Sequence, residues 1–131
     1  LLLDRKRKRF GRDKQMVGHE EKVGVLQDCL GKGQPLLELV EYSKDSIVSK
    51  MILNKSVGSI TLFAFDQGQG LSEHTAPYDA VVQVLDGTAR ITIGTEDKTV
   101  PEGQIIVMPA NVPHAVNAQG KFKMLLTMIR A

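Results

Sequence analysis

The sequence contains no tryptophan, and its 131 residues carry only four Phe and two Tyr. Its core must therefore be filled mostly by Val, Ile, Leu and Met. There is one cysteine, Cys29. It cannot close an intrachain disulfide, and no Cys-x-x-Cys or Cys/His zinc spacing accompanies it. This favours a reducing compartment, so the expectation is a cytoplasmic protein. No apolar run approaches the roughly 20 residues that cross a bilayer as a helix, which excludes a helical membrane anchor from the expectations. The opening Leu1-Leu2-Leu3 is too short for the apolar centre of a secretory signal, and it precedes the basic residues instead of following them. Long helical periodicity is also lacking, which argues against a βαβ fold.

Charge is unevenly placed. The formal net charge is +2, yet residues 1–14 hold seven basic and two acidic side chains, and the rest of the chain holds ten basic and thirteen acidic. A mildly acidic body thus follows a basic tail. Residues 1–15 show no apolar periodicity and are expected to be a disordered tail, derived from upstream translation or an artificial extension. Five consecutive basic residues repel one another and bury nothing. Such a tail could touch nucleic acid, but no recognition motif or interleaved aromatics support that partner, so nucleic acid is disfavoured. Residues 16–131 are expected to form a single domain, long enough to bury a core without staples.

The domain reads as short strands separated by turns. Residues 20–30 could form a short helix, weakened by Gly24. Gly31-Lys32-Gly33-Gln34-Pro35 breaks the chain, and Leu36 to Tyr42 is a helical turn or a strand. Strands are expected at Ile47–Leu53, Gly58–Phe65, Ala80–Leu85, Ala89–Ile93, Lys98–Val100, Gln104–Met108, Val112–Val116 and Phe122–Ile129. Asp86-Gly87 reads as a hairpin turn between two of them. Strand parity puts Val82 and Val84 inside with Ala80, and Gln83 and Asp79 outside. Gly58–Phe65 and Phe122–Ile129 are apolar on both faces, so something must cover the outer one. A homodimer burying Phe63 or Phe65 and part of the last strand would do so. Met51, Met108, Met124 and Met128 read as core filler, Cys29 as a small half-buried hydrophobe, and His19 as exposed. The fold class is all-β, a barrel or sandwich preceded by a short, partly helical or irregular segment.

Two blocks carry a resemblance. Gly68 is followed after five residues by His74-Thr75-Ala76, after three more by Ala80, and after six more by Gly87. Gly103 is followed after five residues by Pro109-Ala110-Asn111, after two more by His114, and after three more by Ala118. In spacing and in six of ten residue identities this resembles the two motifs of the cupin superfamily, Gly-x5-His-x-His-x3-Glu-x6-Gly and Gly-x5-Pro-x-Gly-x2-His-x3-Asn. The likeness covers about Ser56 to Met128 and is most similar to small single-domain bacterial and archaeal cupins of the conserved-barrel, cupin 2 kind. It implies a jelly-roll β-barrel.

The departures concern chemistry. In family members with a full metal site, both His and the Glu of the first motif and the His of the second are ligands. Here the second His is Ala76 and the Glu is Ala80, so the resemblance leaves His74 and His114. A divalent metal (Zn, Ni, Fe or Mn, not distinguishable) would need solvent to complete its coordination sphere. The expected site is a pocket of His74, His114 and Tyr78, the last either touching a ligand or only closing its loop. Its expected function is binding of a small molecule of unknown identity. The alternative is a metal-dependent enzyme of dioxygenase, isomerase or decarboxylase type acting through His74 and His114.

Overall fold

The computed structural model of the chain describes residues 24–131. The basic tail, His19 and the first part of the helix expected at residues 20–30 lie outside them. Among the described residues nine strands form: β1 (Gly24–Val25), β2 (Ile47–Lys55), β3 (Gly58–Phe65), β4 (Gly70–His74), β5 (Ala80–Ile93), β6 (Glu96–Pro101), β7 (Ile105–Met108), β8 (His114–Asn117) and β9 (Phe122–Ile129). Every pairing is antiparallel. One face of the jelly-roll barrel runs β1-β2-β3-β9-β5-β7, and the other runs β4-β8-β5-β6. Among the described residues no helix is long and apolar enough to cross a membrane.

The helix expected at residues 20–30 is not what forms over its described part. Gly24 and Val25 pair with Asn54 and Leu53 of β2, and only Gln27–Cys29 make a 3-10 turn. Glycine weakens the helix while the open edge of β2 satisfies the backbone, so pairing wins. Leu36–Leu39 form one further 3-10 turn.

Strand β5 overturns the expected hairpin at Asp86-Gly87. It runs unbroken for 14 residues, and its first half pairs with β7 and β9, its second with β6 and β8. The register against β9 shifts between Val84 and Asp86, and Gly87 adopts φ +74°. A Cβ at Gly87 would sit 2.2 Å from the Lys121 carbonyl oxygen. The dipeptide therefore marks a bulge that bends one strand from face to face, not a chain reversal.

Parity along β5 holds: Ala80, Val82, Val84, Ala89 and Ile91 point inward, and Gln83 is exposed. Phe63, Phe65, Phe122 and Met124 join them in the interior. Phe65 and Phe122 are cross-strand partners whose rings stack at 4.5 Å between centroids. Phe63 and Phe65 are 1% and 0% exposed within the single chain, which leaves neither as a surface for a partner. The alternate residues of β3, Leu62 and Ala64, face outward, and the chain itself covers them with Val40, Leu39 and Tyr42. This cover is fastened at its end. The Tyr42 hydroxyl donates to Asp86 at 2.6 Å, and Lys123 donates through Nζ to the Leu37 carbonyl at 2.6 Å. Burial first, and then Asp86, push the Tyr42 ionisation well above its ordinary range, so the phenol keeps its proton and the bond.

Replacing Gly87 by Ala combines left-handed strain with a backbone clash and should cost at least about 2 kcal/mol in urea denaturation. Gly103→Ala is the control. Gly103 has φ +87° but open space around its Cβ position, so only strain remains, about 1 kcal/mol. Equal costs at the two sites would show that the close approach at Gly87 does not hold the bend.

Candidate functional site

The site lies at one end of the barrel interior. Phe65 and Phe122 fill the other end, and side chains become smaller or softer along β5 and β9 towards Ala80 and Met128. His74 closes β4 and His114 opens β8, and the two are direct cross-strand partners. Their rings lie 4.5 Å apart between centroids at 71°, edge to face. The two motif histidines thus meet inside the barrel. Residues 75–79 form a loop between β4 and β5. Pro77 cannot donate to a ladder, and the loop is tied elsewhere: Asn111 donates its backbone N–H to the Ala76 carbonyl, and Asp79 Oδ1 accepts from the Ala110 N–H, both at 2.8 Å. Asp79 is therefore an outward loop clamp, facing away from the interior as parity required. Asn111 stands where the family motif has Gly, at φ +65°, a conformation Asn tolerates better than most residues.

Hydrogen bonds set the imidazole orientation. His74 Nδ1 lies 3.2 Å from the Ser72 carbonyl oxygen, and His114 Nδ1 lies 3.2 Å from that of Val112. A carbonyl only accepts, so each Nδ1 carries a hydrogen and the neutral ring keeps its lone pair on Nε2. Two Nε2 acceptors therefore belong to neighbouring rings of one cavity. His114 is 4% exposed. Burial, and then the charge His74 can carry, lower its pKa, and the bond to Val112 opposes this only in part.

The cavity is otherwise apolar. Leu71, Ala76, Ala80, Val116 and Leu126 line it, with Met108, Met124 and Met128, and the half-buried Tyr78 stands among them. Non-atom space up to and including its open mouth is about 540 Å³, but room for the centre of a water molecule is only about 30 Å³. The second figure governs what enters without wall movement, and it corresponds to roughly two waters, so a larger occupant sits in the open mouth or displaces the flexible methionine side chains. Sequence reasoning brought His74, His114 and Tyr78 here. It assigned the methionines to the core without seeing that they also wall the cavity. Register held the missing signal: Ala80 lies between Met108 on β7 and Met128 on β9, all on the inward face.

The resemblance to the family motifs implies a divalent ion held in this cavity. Ala76 and Ala80 both line the cavity and offer no ligand atom. Among the described residues no group of three His, Cys, Asp or Glu could hold a metal ion. Two imidazoles fall short of the three or four protein ligands that hold a divalent zinc. The residues present do not fit such an ion.

Residues 61–130 match the family described as Cupin domain. SCO3923, an uncharacterized protein of Streptomyces coelicolor, is 39% identical over 78 residues, covering 60% of this chain and 73% of that one. The crystal structure of SPY1581, a conserved protein of unknown function from Streptococcus pyogenes, superposes with TM-score 0.76 at 37% identity, over 83% of this chain and 94% of that one. The chain belongs to the cupin family and is similar to small cupins of bacteria. Enzymes share the fold. Salicylate 1,2-dioxygenase of Pseudaminobacter salicylatoxidans aligns with TM-score 0.59 over 63% of this chain and 26% of its own, but at 16% identity it shows the fold alone.

The lowered pKa of His114 has a signed consequence. Its neutral form is favoured by folding, so its contribution to stability is full above the ordinary histidine pKa and is lost as pH falls through the lower folded value. An NMR titration should place His114 below the ordinary value, and His74→Ala should move it upward by removing a neighbouring charge. A downward move, or none, would contradict the coupling.

Proposed function

We propose that the chain is a binding module whose barrel mouth receives a small, mostly apolar molecule through one hydrogen-bond-donating group, such as a hydroxyl. The observation that carries this is the pair of anchored imidazoles. Each Nδ1 is tied to a backbone carbonyl, so in the uncharged rings Nε2 is the acceptor, and both Nε2 atoms belong to one apolar cavity. A ligand hydroxyl can donate to one of them, while an anion would meet lone pairs and no fixed positive charge. Tyr78, at the same cavity, offers a further hydroxyl. Apolar walls with few polar groups are the usual make-up of a small-molecule site.

The second reading is a metal-dependent enzyme of dioxygenase, isomerase or decarboxylase type. The anchoring of both rings through Nδ1, a common way to orient a metal-binding histidine, favours it. The donor count opposes it. The single thiol supports placing the protein in the cytoplasm.

Phenol at millimolar concentration should shift the ring signals of both His74 and His114 in an NMR titration at pH 7.5, and benzoate should leave them in place. Ala80→Leu, which fills the cavity, should abolish the phenol response. Tighter binding of benzoate would overturn the neutral-acceptor reading.

We also propose a homodimer, through a different surface from Phe63 and Phe65. Among the described residues β7 pairs on one side only, with β5, and its Ile105 and Val107 are 63% and 52% exposed. An uncovered edge strand with outward apolar side chains invites a second copy. Light scattering at tens of micromolar should report a dimer for the full chain and a monomer for Ile105→Lys/Val107→Glu. A wild-type monomer would remove this surface as an interface.

A further inference from the structure

We infer that the barrel mouth is also a soft-metal site for cuprous copper, Cu(I), held by Nε2 of His74 and His114 together with the thioethers of Met108 and Met128. This rests on the reading of the imidazole pair as the binding groups of the cavity and goes beyond it by naming a second occupant for the same two nitrogens.

The argument begins at Ala80. Its neighbours across the two adjacent strands are Met108 and Met128, and all three line the cavity with both histidines. The place where the family pattern would put a carboxylate is therefore bracketed by two methionines. Facing them on the other wall is the cross-strand His74–His114 pair, with Nδ1 of each ring already tied to backbone and Nε2 left to bind. Met124 lines the same cavity one step deeper, at the level of Val84. Two imidazoles and two thioethers are available to one small space.

The chemistry of that set selects the ion. Thioether sulfur is a soft donor that suits Cu(I), and imidazole binds copper readily. Hard divalent ions prefer the carboxylate that is missing here. Charge points the same way. The cavity lining contains no carboxylate, so a bound cation stays uncompensated. The idealised cost of burying an ion rises with the square of its charge, making a monovalent ion about fourfold cheaper to bury than a divalent one of similar size. Replacement of His by Ala76 and of Glu by Ala80 weakens a hard-metal site, but both changes are compatible with a soft one.

The test uses the full chain carrying Cys29→Ser, so that no thiol competes, under anaerobic conditions with Cu(I) presented as its coloured bicinchoninate complex. One equivalent of Cu(I) should be withdrawn from the chelator, and Zn(II) should fail to displace it. His74→Ala and His114→Ala should each weaken binding by about 100-fold or more. Met108→Leu/Met128→Leu conserves volume and should weaken it at least tenfold, with circular dichroism showing an unchanged fold. The inference is overturned if no copper is withdrawn, if the histidine variants bind as the parent does, or if Zn(II) competes equally and the methionine double variant is silent. Phenol shifts at His74 and His114 without copper uptake would sink the copper site and leave the binding reading standing. Copper uptake that depends on both His and both Met, with no phenol response, would do the reverse.

Discussion

Both faces of the barrel are built on the same strand, and that sharing constrains everything else. β5 supplies a wall to one face through its first half and to the other through its second. A strand can do this only if it bends without losing its partners. The bend sits at Gly87, where the Lys121 carbonyl comes so close that a side chain would have no room. Because β9 is held against both β3 and the first half of β5, the bend also sets how Phe122 meets Phe65. The aromatic stack at one end and the histidine pair at the other are thus placed by one backbone irregularity.

Much of this was legible in the residues. The kept motif glycines Gly68, Gly87 and Gly103 all have positive φ, so their spacing recorded backbone geometry. Alternation along Ala80, Val82 and Val84 separated inside from outside because one face is dry. The meeting of His74 and His114 was what the resemblance to the family motifs implied, and their cross-strand pairing agrees with it. What misled was local. An Asp-Gly pair serves a hairpin or a bulge equally well, and only the approach of Lys121 and Phe122, 34 and 35 residues further along the chain than Gly87, distinguishes them. On β3, apolar residues on both faces left open which set fills the barrel. The large rings took the interior, and the cover for Leu62 and Ala64 came from Val40, whose segment had no clear pattern of its own.

The site illustrates how a family pattern can lose ligands without losing architecture. Asn111 replaces a motif glycine and still holds positive φ. Ala76 keeps its backbone role by accepting from Asn111, although its side chain contributes no ligand. Ala80 remains in register between β7 and β9. Backbone duties at these positions are independent of side-chain chemistry, so the barrel tolerates a changed donor set.

The Tyr42 fastening also decides what the barrel shows to water. The segment from Leu36 to Tyr42 lies over the barrel, held by the burial of Val40, by Tyr42 with Asp86 and by Lys123 with the Leu37 carbonyl. It adds no strand to either face. Removing it would therefore leave every barrel ladder paired and yet wet Leu62 and Ala64, which are otherwise fully buried. The segment does for the outer face of β3 what a partner subunit would otherwise have to do.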